Sequence, residues 1–325
     1  MTLKQILKDW TLPFSMVVGT IGYLLFTQVA ALHEAKVLLV SFVPYLLPSL
    51  IFVMLFFSYC KIEPRDLKPR RWHLWLILIQ MAEVGVMVWW LMTHEASEWR
   101  PLAEAWLACF IAPMAAVGAV VTQKIGGNAA TATTYTIISS TFTALAVPLV
   151  YPLVEPGIGL TFIELFLKIL SRVFPTIMAP LALALLMKWF TPKAHSFVAE
   201  KSKDYSFYLW GICTAVNTAQ IIRSIVSSPG SGSMVAWICF TVGIIVCLQF
   251  IVGKHIGSKY GDKIAAGQGL AQKNTVLSIW MAMSFLNPQA AIGPGACLLW
   301  QNLFNSWQIW QHQKESSLKT KAGHK

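Results

Sequence analysis

The chain has 325 residues, of which 56% are hydrophobic and 12% are charged. Soluble domains carry about 25% charged residues, so this composition excludes an ordinary soluble protein and indicates a chain that crosses the lipid bilayer several times. The formal net charge of +11 does not indicate a nucleic-acid partner, because most basic residues lie in short segments between apolar runs, where they orient a membrane protein.

Apolar runs along the chain predict ten membrane spans, so we expect an all-α membrane protein with ten transmembrane helices. No small-residue cleavage site follows the first run, and we therefore expect it to be a retained span. In chain order the predicted spans are 12–32, 37–59, 73–92, 102–123, 128–152, 162–190, 205–227, 234–253, 260–286 and 287–310.

Lysine and arginine residues are distributed unequally between the two sides that these spans define. Nineteen of the 25 fall on one side, and only Lys36 and Arg100 fall on the other. Segments rich in lysine and arginine stay in the cytoplasm. We therefore expect a multi-pass protein of the cytoplasmic (inner) membrane with both termini in the cytoplasm.

Two of the ten spans are interrupted. The fourth runs through Pro113 and Gly118 to a break at Gly126, Gly127 and Asn128, and the ninth is broken across residues 267–274. A broken helix leaves backbone groups without partners, which hydrocarbon does not tolerate unless protein or a water-filled cavity covers them. Breaks at matching places in two halves of a chain are typical of the binding site of a secondary transporter.

Ten spans divide into two sets of five at Pro156 and Gly157. The broken span is the fourth of each set, and an odd number of spans in a repeat makes the second copy inverted. We therefore expect two inverted five-helix repeats, residues 1–155 and 156–325, whose discontinuous helices 4 and 9 cross at the membrane midplane.

Two charged residues, Glu83 in the third span and Lys273 at the second break, should lie near that midplane. One charge there costs roughly 2.5–3.5 kcal/mol, so pairing or neutralisation is expected. Gln80 is one helical turn from Glu83 and faces the same way. We expect Glu83 to reach Lys273 as its counter-ion. The pair is either a permanent structural link or a group whose protonation drives transport.

Polar residues recur at helical spacing on two further spans. Glu164, Lys168 and Arg172 share one face of the sixth span, toward its outer end. They either place their charged ends among lipid headgroups or line an outer cavity for an anionic substrate. On the seventh span, Thr214, Asn217 and Gln220 form a stripe that lines a cavity or makes hydrogen bonds between helices.

Three segments together match one pattern of membrane transporters. They are Gly127 and Asn128 followed by Thr136, Ser139, Ser140, Pro148 and Pro152; residues 268–273, from Gln268 to Gln272 and Lys273; and Pro294, Gly295 and Ala296 followed by Trp300, Gln301 and Asn302. These segments resemble the bile acid:sodium symporter superfamily. The resemblance implies a ten-span fold with a panel domain and a core domain, the latter containing two crossed, broken helices. Asn128 alternatively caps the fifth helix.

The sodium-binding positions of that superfamily are largely lost here. The resemblance aligns the first sodium site with Gly118, Ala119, Ala132, Thr136 and Gln268, which lack its carboxylate and three of its side-chain oxygens. It aligns the second site with Gln80 and Gln272, and Lys273, followed by Asn274, replaces an asparagine next to it. A hard cation prefers several oxygen ligands, so we expect only vestiges of sodium sites at Thr136, Gln268, Gln80 and Gln272.

The leading hypothesis is a secondary active transporter of a small organic anion that works by alternating access. Lys273 and Glu83 would replace sodium coupling, so the coupling ion would be H+ or absent. The alternatives are a sodium-coupled symporter of the bile acid type and a cation/proton antiporter, although an adjacent Asp pair is missing at the break. A membrane-embedded enzyme is least expected, because the sequence has no known catalytic motif. We expect no catalytic residue and no cofactor.

Overall fold

The computed structural model describes residues 11–29, 33–61, 67–155, 160–226 and 232–322. The predicted division at Pro156 and Gly157 and both chain ends lie outside these residues. The described part is helical and contains no named strand, which confirms the predicted all-α class. Five of its helices are long and apolar enough to cross a membrane. The ten-span inverted repeat stays a prediction.

The helices follow the predicted spans in order. Most are continuous apolar runs whose backbone hydrogen bonds are made within the helix, as hydrocarbon requires. They are α1 (Thr11–Gln28), α2 (His33–Tyr59), α3 (Arg71–Thr93), α4 (Arg100–Ile111), α5 (Ala116–Lys124), α6 (Ala129–Val154), α7 (Phe162–Phe190), α8 (Pro192–Val226), α9 (Gly232–Ser258), α10 (Lys263–Ala271), α11 (Thr275–Phe285), a short 3-10 helix (Pro288–Ala291) and α12 (Ile292–Ala322).

The fourth predicted span consists of two half-helices, α4 and α5, separated by residues 112–115. Pro113 has no N–H for a helical hydrogen bond, and the residue before a proline avoids the helical conformation. Ala112 accordingly has extended backbone angles, φ −64° and ψ 139°. The sequence prediction that put the break at Gly126 to Asn128 is wrong, because those residues join α5 to α6, with Gly126 at φ 79°.

The ninth predicted span also consists of two half-helices, α10 and α11, separated by residues 272–274. Gly267 lies inside α10 and does not interrupt it. A side chain at Gly267 would come within 2.6 Å of Lys254 Cγ on α9, so this glycine permits close helix packing. Residues 265–282 are all buried, which makes this span the most enclosed segment of the described chain.

The long helices expose apolar side chains on one face and bury another face in the interior. The outer faces of α1 and α2 expose large apolar side chains such as Phe14, Ile21 and Phe42. Helices α3, α6, α9 and α12 surround the four half-helices, and α9 packs along α10. The two interruptions therefore lie in the interior of the molecule, where protein groups can meet their free backbone atoms.

Candidate functional site

The two interruptions cross each other and are joined by backbone hydrogen bonds. Met114 and Lys273 form an isolated antiparallel bridge. Ala115 N donates to Gln272 O at 2.8 Å, and Asn274 N donates to Pro113 O at 2.8 Å. Residues 112–115 and 272–274 therefore satisfy part of each other's backbone, as two short strands would.

Side chains from neighbouring helices bond further backbone groups at the crossing. Gln301 on α12 accepts a hydrogen bond from Lys273 N at 3.1 Å and donates to Lys273 O at 3.4 Å. Ser139 on α6 accepts from Met114 N at 3.0 Å. Asn274 caps α11 by accepting from Leu277 N at 3.2 Å. Unwound backbone in the membrane interior is thus covered by protein, which is the condition for its stability there.

The carboxyl end of α4 points into the crossing and attracts donors from three other helices. Ser278 Oγ donates to Ala108 O at 2.6 Å, and Thr143 Oγ1 donates to Ile111 O at 2.7 Å. Gln80 Nε2 donates to Phe110 O at 2.8 Å and to Ala112 O at 3.0 Å. The last carbonyls of a helix carry a partial negative charge. This helix end is therefore a place where a cation is favoured.

The ammonium group of Lys273 occupies that place. Lys273 Nζ donates to Phe110 O and to Ala112 O, each at 3.4 Å, and the side chain is only 1% exposed. Gln80 bonds the same two carbonyls and receives a long contact of 3.5 Å from the hydroxyl of Tyr135. The amino group of Lys273 therefore lies against the negative end of the first half-helix.

The expected direct contact between Glu83 and Lys273 is not among the ion pairs of the described residues. Gln249 Nε2 on α9 donates to both carboxylate oxygens of Glu83, at 3.2 and 3.0 Å. Glu83 is thereby turned toward α9, while Lys273 is turned toward α4. Glu83 is therefore bonded to Gln249 and forms no direct ion pair with Lys273.

Two glutamines of the crossing motif are linked by a side chain that sequence reasoning missed. Gln268 Nε2 donates to Asn305 Oδ1 at 2.9 Å, and Asn305 Nδ2 donates to Gln272 Oε1 at 2.6 Å. All three side chains are buried. Asn305 lies one helical turn beyond Gln301 on α12, which is the signal that could have indicated it. Sequence reasoning also missed Gln249, whose amide lies in the apolar middle of α9.

The residues at the aligned sodium positions do not form an oxygen cage. The Thr136 hydroxyl donates to Ala132 O at 3.1 Å, and Gln268 Oε1 is buried without a hydrogen-bond partner. A side chain at Gly118 would come within 2.6 Å of Met114 Cε, so the methionine fills the space that a serine would need. One free amide oxygen is far from the several oxygen ligands that a hard cation prefers.

Three of the predicted site residues lie away from this cluster or have structural roles. Asn128 caps α6 by accepting from Ala130 N and Thr131 N. Asn302 Nδ2 donates to Leu298 O on its own helix at 2.6 Å. Asn217 is buried and makes a long contact of 3.5 Å to Val276 O, while its Oδ1 has no hydrogen-bond partner. The structure thus brings together Gln80, Gln268, Gln272, Lys273 and Asn274.

Residues 48–228 match the profile of the Sodium Bile acid symporter family. This match covers more than half of the chain. The chain belongs to this family. Its members are transporters and not enzymes, so the protein is a membrane transporter of the bile acid:sodium symporter type. The matched segment ends within the region between α8 and α9, so Lys273 and α12 lie beyond it. Among individual proteins with curated descriptions, none matches the chain significantly.

Proposed function

We propose that the protein is a secondary active transporter that moves a small organic anion across the cytoplasmic membrane independently of sodium. In this proposal the ten predicted spans form two inverted repeats. One group of helices rocks against the other around the crossed interruptions, which gives alternating access. The ammonium group of Lys273 takes the part that a coupling sodium ion has in sodium-dependent relatives.

One observation carries the proposal. Lys273 Nζ lies against Phe110 O and Ala112 O, the carbonyls at the end of a discontinuous helix. Such carbonyls coordinate the coupling ion in other transporters with broken helices. A sodium ion and an ammonium group cannot occupy the same carbonyl pair at once, because each brings a full positive charge. In this proposal no sodium ion is needed to balance the carbonyls at this end of α4.

The opposite ends of the half-helices suit an anionic substrate. The amino ends of α5 and α11 begin at Ala116 and Thr275, directly after the interruptions. A helix amino end carries a partial positive charge that favours anions. An anion bound beside the crossing would meet these ends and the charge of Lys273. The carboxylate of Glu83 accepts two hydrogen bonds from Gln249 on α9.

Uptake into proteoliposomes tests the proposal. Purified protein is reconstituted, and entry of a panel of labelled organic anions, from small carboxylates to a bile acid, is followed with sodium inside and outside replaced by choline. We expect at least one anion to enter at a rate that sodium does not change. A rate that requires sodium would overturn the proposal in favour of a sodium-coupled symporter.

The same vesicles distinguish proton coupling from uncoupled exchange. An inward proton gradient is imposed in sodium-free buffer, and uptake is compared with and without a protonophore. Protonation of Lys273 as the coupling event requires that Lys273→Gln lose the response to the gradient. Lys259→Gln, which changes an exposed lysine outside the site, is the matched control and should keep the response. A response retained in both variants would exclude Lys273 as the proton carrier.

A further inference from the structure

A second place in the described structure offers a positive charge to a ligand, well away from the crossing. A cavity of about 340 Å³ lies between α2, α7 and α11. It is lined by Tyr45, Ser49, Arg172, Thr176, Trp280 and Ser284 among others. The charge distribution of the chain assigns this end of the three helices to the outer side of the membrane.

Arg172 is the charged group of this cavity, and no described residue pairs with it. Neither an ion pair nor a side-chain hydrogen bond of its guanidinium group is present in the part of the chain that the structure describes, and the residue is exposed. Arg172 lies ten residues into α7, about 15 Å from the helix start at 1.5 Å per residue. A guanidinium group at this depth requires water or an anion beside it.

The other residues that line the cavity are uncharged, and Trp280 adds an apolar surface. Thr176 and Ser49 use their hydroxyl hydrogens within their own helices, donating to Arg172 O at 2.6 Å and to Tyr45 O at 2.9 Å. The indole N–H of Trp280 has no acceptor among the described residues. Its ring is only 4% exposed, whereas Tyr45 is 74% exposed at the rim. The potential donors that remain are Arg172, the indole N–H and the hydroxyl groups of Tyr45 and Ser284.

We propose that this cavity, which we call the Arg172 cleft, binds a compact organic anion. Its carboxylate or sulfonate group would pair with the guanidinium of Arg172, and its apolar body would lie against Trp280. Guanidinium groups bind planar carboxylates through two parallel hydrogen bonds. The volume is at the lower limit of ligand pockets, roughly 300–1,000 Å³, and therefore favours an aromatic or branched aliphatic acid over a steroid.

This inference rests on the proposed function, because it supplies that function's substrate class and first binding place. Trp280 lies on α11, which begins directly after the interruption at residues 272–274. Arg172 lies on α7, which does not take part in the crossing. A ligand in the Arg172 cleft would therefore contact both the half-helix that leaves the crossing and a helix outside it. Movement of α11 during transport would change the shape of the cleft.

Chemical labelling tests the cleft without knowledge of the substrate. Ser284→Cys is prepared in nanodiscs of phosphatidylcholine and reacted with an anionic (sulfonatoethyl) and a cationic (trimethylammonioethyl) methanethiosulfonate; the unsubstituted protein gives the background of native cysteines. We expect the ratio of anionic to cationic rates to fall about tenfold when Arg172→Gln is added. Lys168→Gln, one turn away on the same face, should change the ratio much less. An unchanged ratio in Arg172→Gln would overturn the proposal.

Ligand protection sharpens the same test. Phenylacetate should slow labelling of Ser284→Cys in the Arg172 protein, whereas the neutral phenylacetamide should not. No labelling by either water-soluble reagent, in Ser284→Cys and in the second reporter Ser49→Cys, would show a lipid-filled groove and overturn the proposal. Labelling that phosphatidylglycerol suppresses and phenylacetate does not would assign the cleft to a lipid headgroup, with the same consequence.

The labelling and uptake experiments can contradict the two proposals independently. Labelling reports the cleft and requires no translocation. The expected charge ratio without uptake of any anion would contradict the transport proposal and leave a binding site. Sodium-independent uptake with an unchanged ratio in Arg172→Gln would contradict the Arg172 cleft alone.

Discussion

The two interruptions that cross in the interior have opposite chemistry. Residues 112–115 are Ala, Pro, Met and Ala, and none has a polar side chain, whereas residues 272–274 are Gln, Lys and Asn. The first interruption therefore has its carbonyls bonded by side chains from other helices. The second interruption has polar side chains of its own, and Lys273 reaches across to the first, while Gln301 of α12 bonds the backbone of Lys273. The partial negative charge at the carboxyl end of one broken helix is thus balanced by Lys273, which lies in the interruption of the other.

Reversing the charge at the second interruption should have the largest effect. Lys273→Glu would put a carboxylate against Phe110 O and Ala112 O, where only donors are tolerated. A buried uncompensated charge costs on the order of 3–5 kcal/mol. We expect the variant to melt far below the wild type or to fail to accumulate, as measured by fluorescence-detected size exclusion with heating.

Lys273→Met is the matched control for the charge reversal. It removes the ammonium group but keeps a long apolar side chain, and Gln80 continues to bond both carbonyls. We expect this variant to remain folded. A melting temperature of Lys273→Glu equal to that of Lys273→Met would mean that the carbonyl end of α4 has no preference for charge.

Removing the side chain that bonds the backbone of Lys273 should have the next largest effect. Gln301→Leu removes one hydrogen bond from Lys273 N and one from Lys273 O, which keep Ala271 O and Thr275 N as their other partners. Each hydrogen bond contributes about 0.5–1.5 kcal/mol net, so we expect a loss of about 1–3 kcal/mol in stability. Asn302→Ala changes the adjacent residue, which bonds only its own helix, and should cost much less. Equal losses in the two variants, measured by thermal melting, would contradict this role of Gln301.

A comparable effect is expected at the amide link that Asn305 makes between Gln268 and Gln272. Asn305→Leu removes one donor to Gln272 and one acceptor for Gln268, both buried. We expect a loss of about 1–3 kcal/mol in thermal stability, because the two glutamines cannot reach water. Ser306→Ala, at the neighbouring exposed position, is the control and should be near neutral. A neutral Asn305→Leu would show that the glutamines find other partners.

The smallest effect is expected outside the crossing. Asn128→Ala removes the cap of α6 and should cost about 1 kcal/mol. Asn128→Ser retains an acceptor and should recover most of that stability. Because the cap is distant from the carbonyl end of α4, the anion uptake per folded molecule should stay unchanged. A specific loss of uptake in Asn128→Ala would instead make Asn128 part of the binding site.

Local chemistry explains which features the sequence could predict. Pro113 removes a helical hydrogen bond and therefore favours an interruption in the fourth span, although Pro148 and Pro152 are accommodated inside α6. The sequence likewise predicts that Lys273 lies at the second interruption, because it falls within the segment where the break is expected. The break assigned to Gly126 was wrong because a glycine pair also suits the connection between two helices, and composition does not separate these cases.

The partners at the crossing could not be predicted because they depend on helix rotation and packing. Glu83 is bonded by Gln249, which is 166 residues away in the chain. Asn305 meets Gln268 and Gln272 only because that face of α12 is turned inward, toward the crossing. Periodicity gives the face that residues share on one helix, but it does not give the helix that the face meets.

The central claim is that the ammonium group of Lys273 stands where a cation would otherwise bind, and one measurement tests it most directly. The melting temperatures of the wild type and of Lys273→Ala are followed while NaCl replaces choline chloride at constant ionic strength. The variant leaves Phe110 O and Ala112 O beside an emptied place, so sodium should stabilise it in a saturable way, by about 1.4 kcal/mol at ten times the dissociation constant. The wild type should show no such response. Sodium stabilisation of the wild type, or its absence from the variant, would contradict the claim.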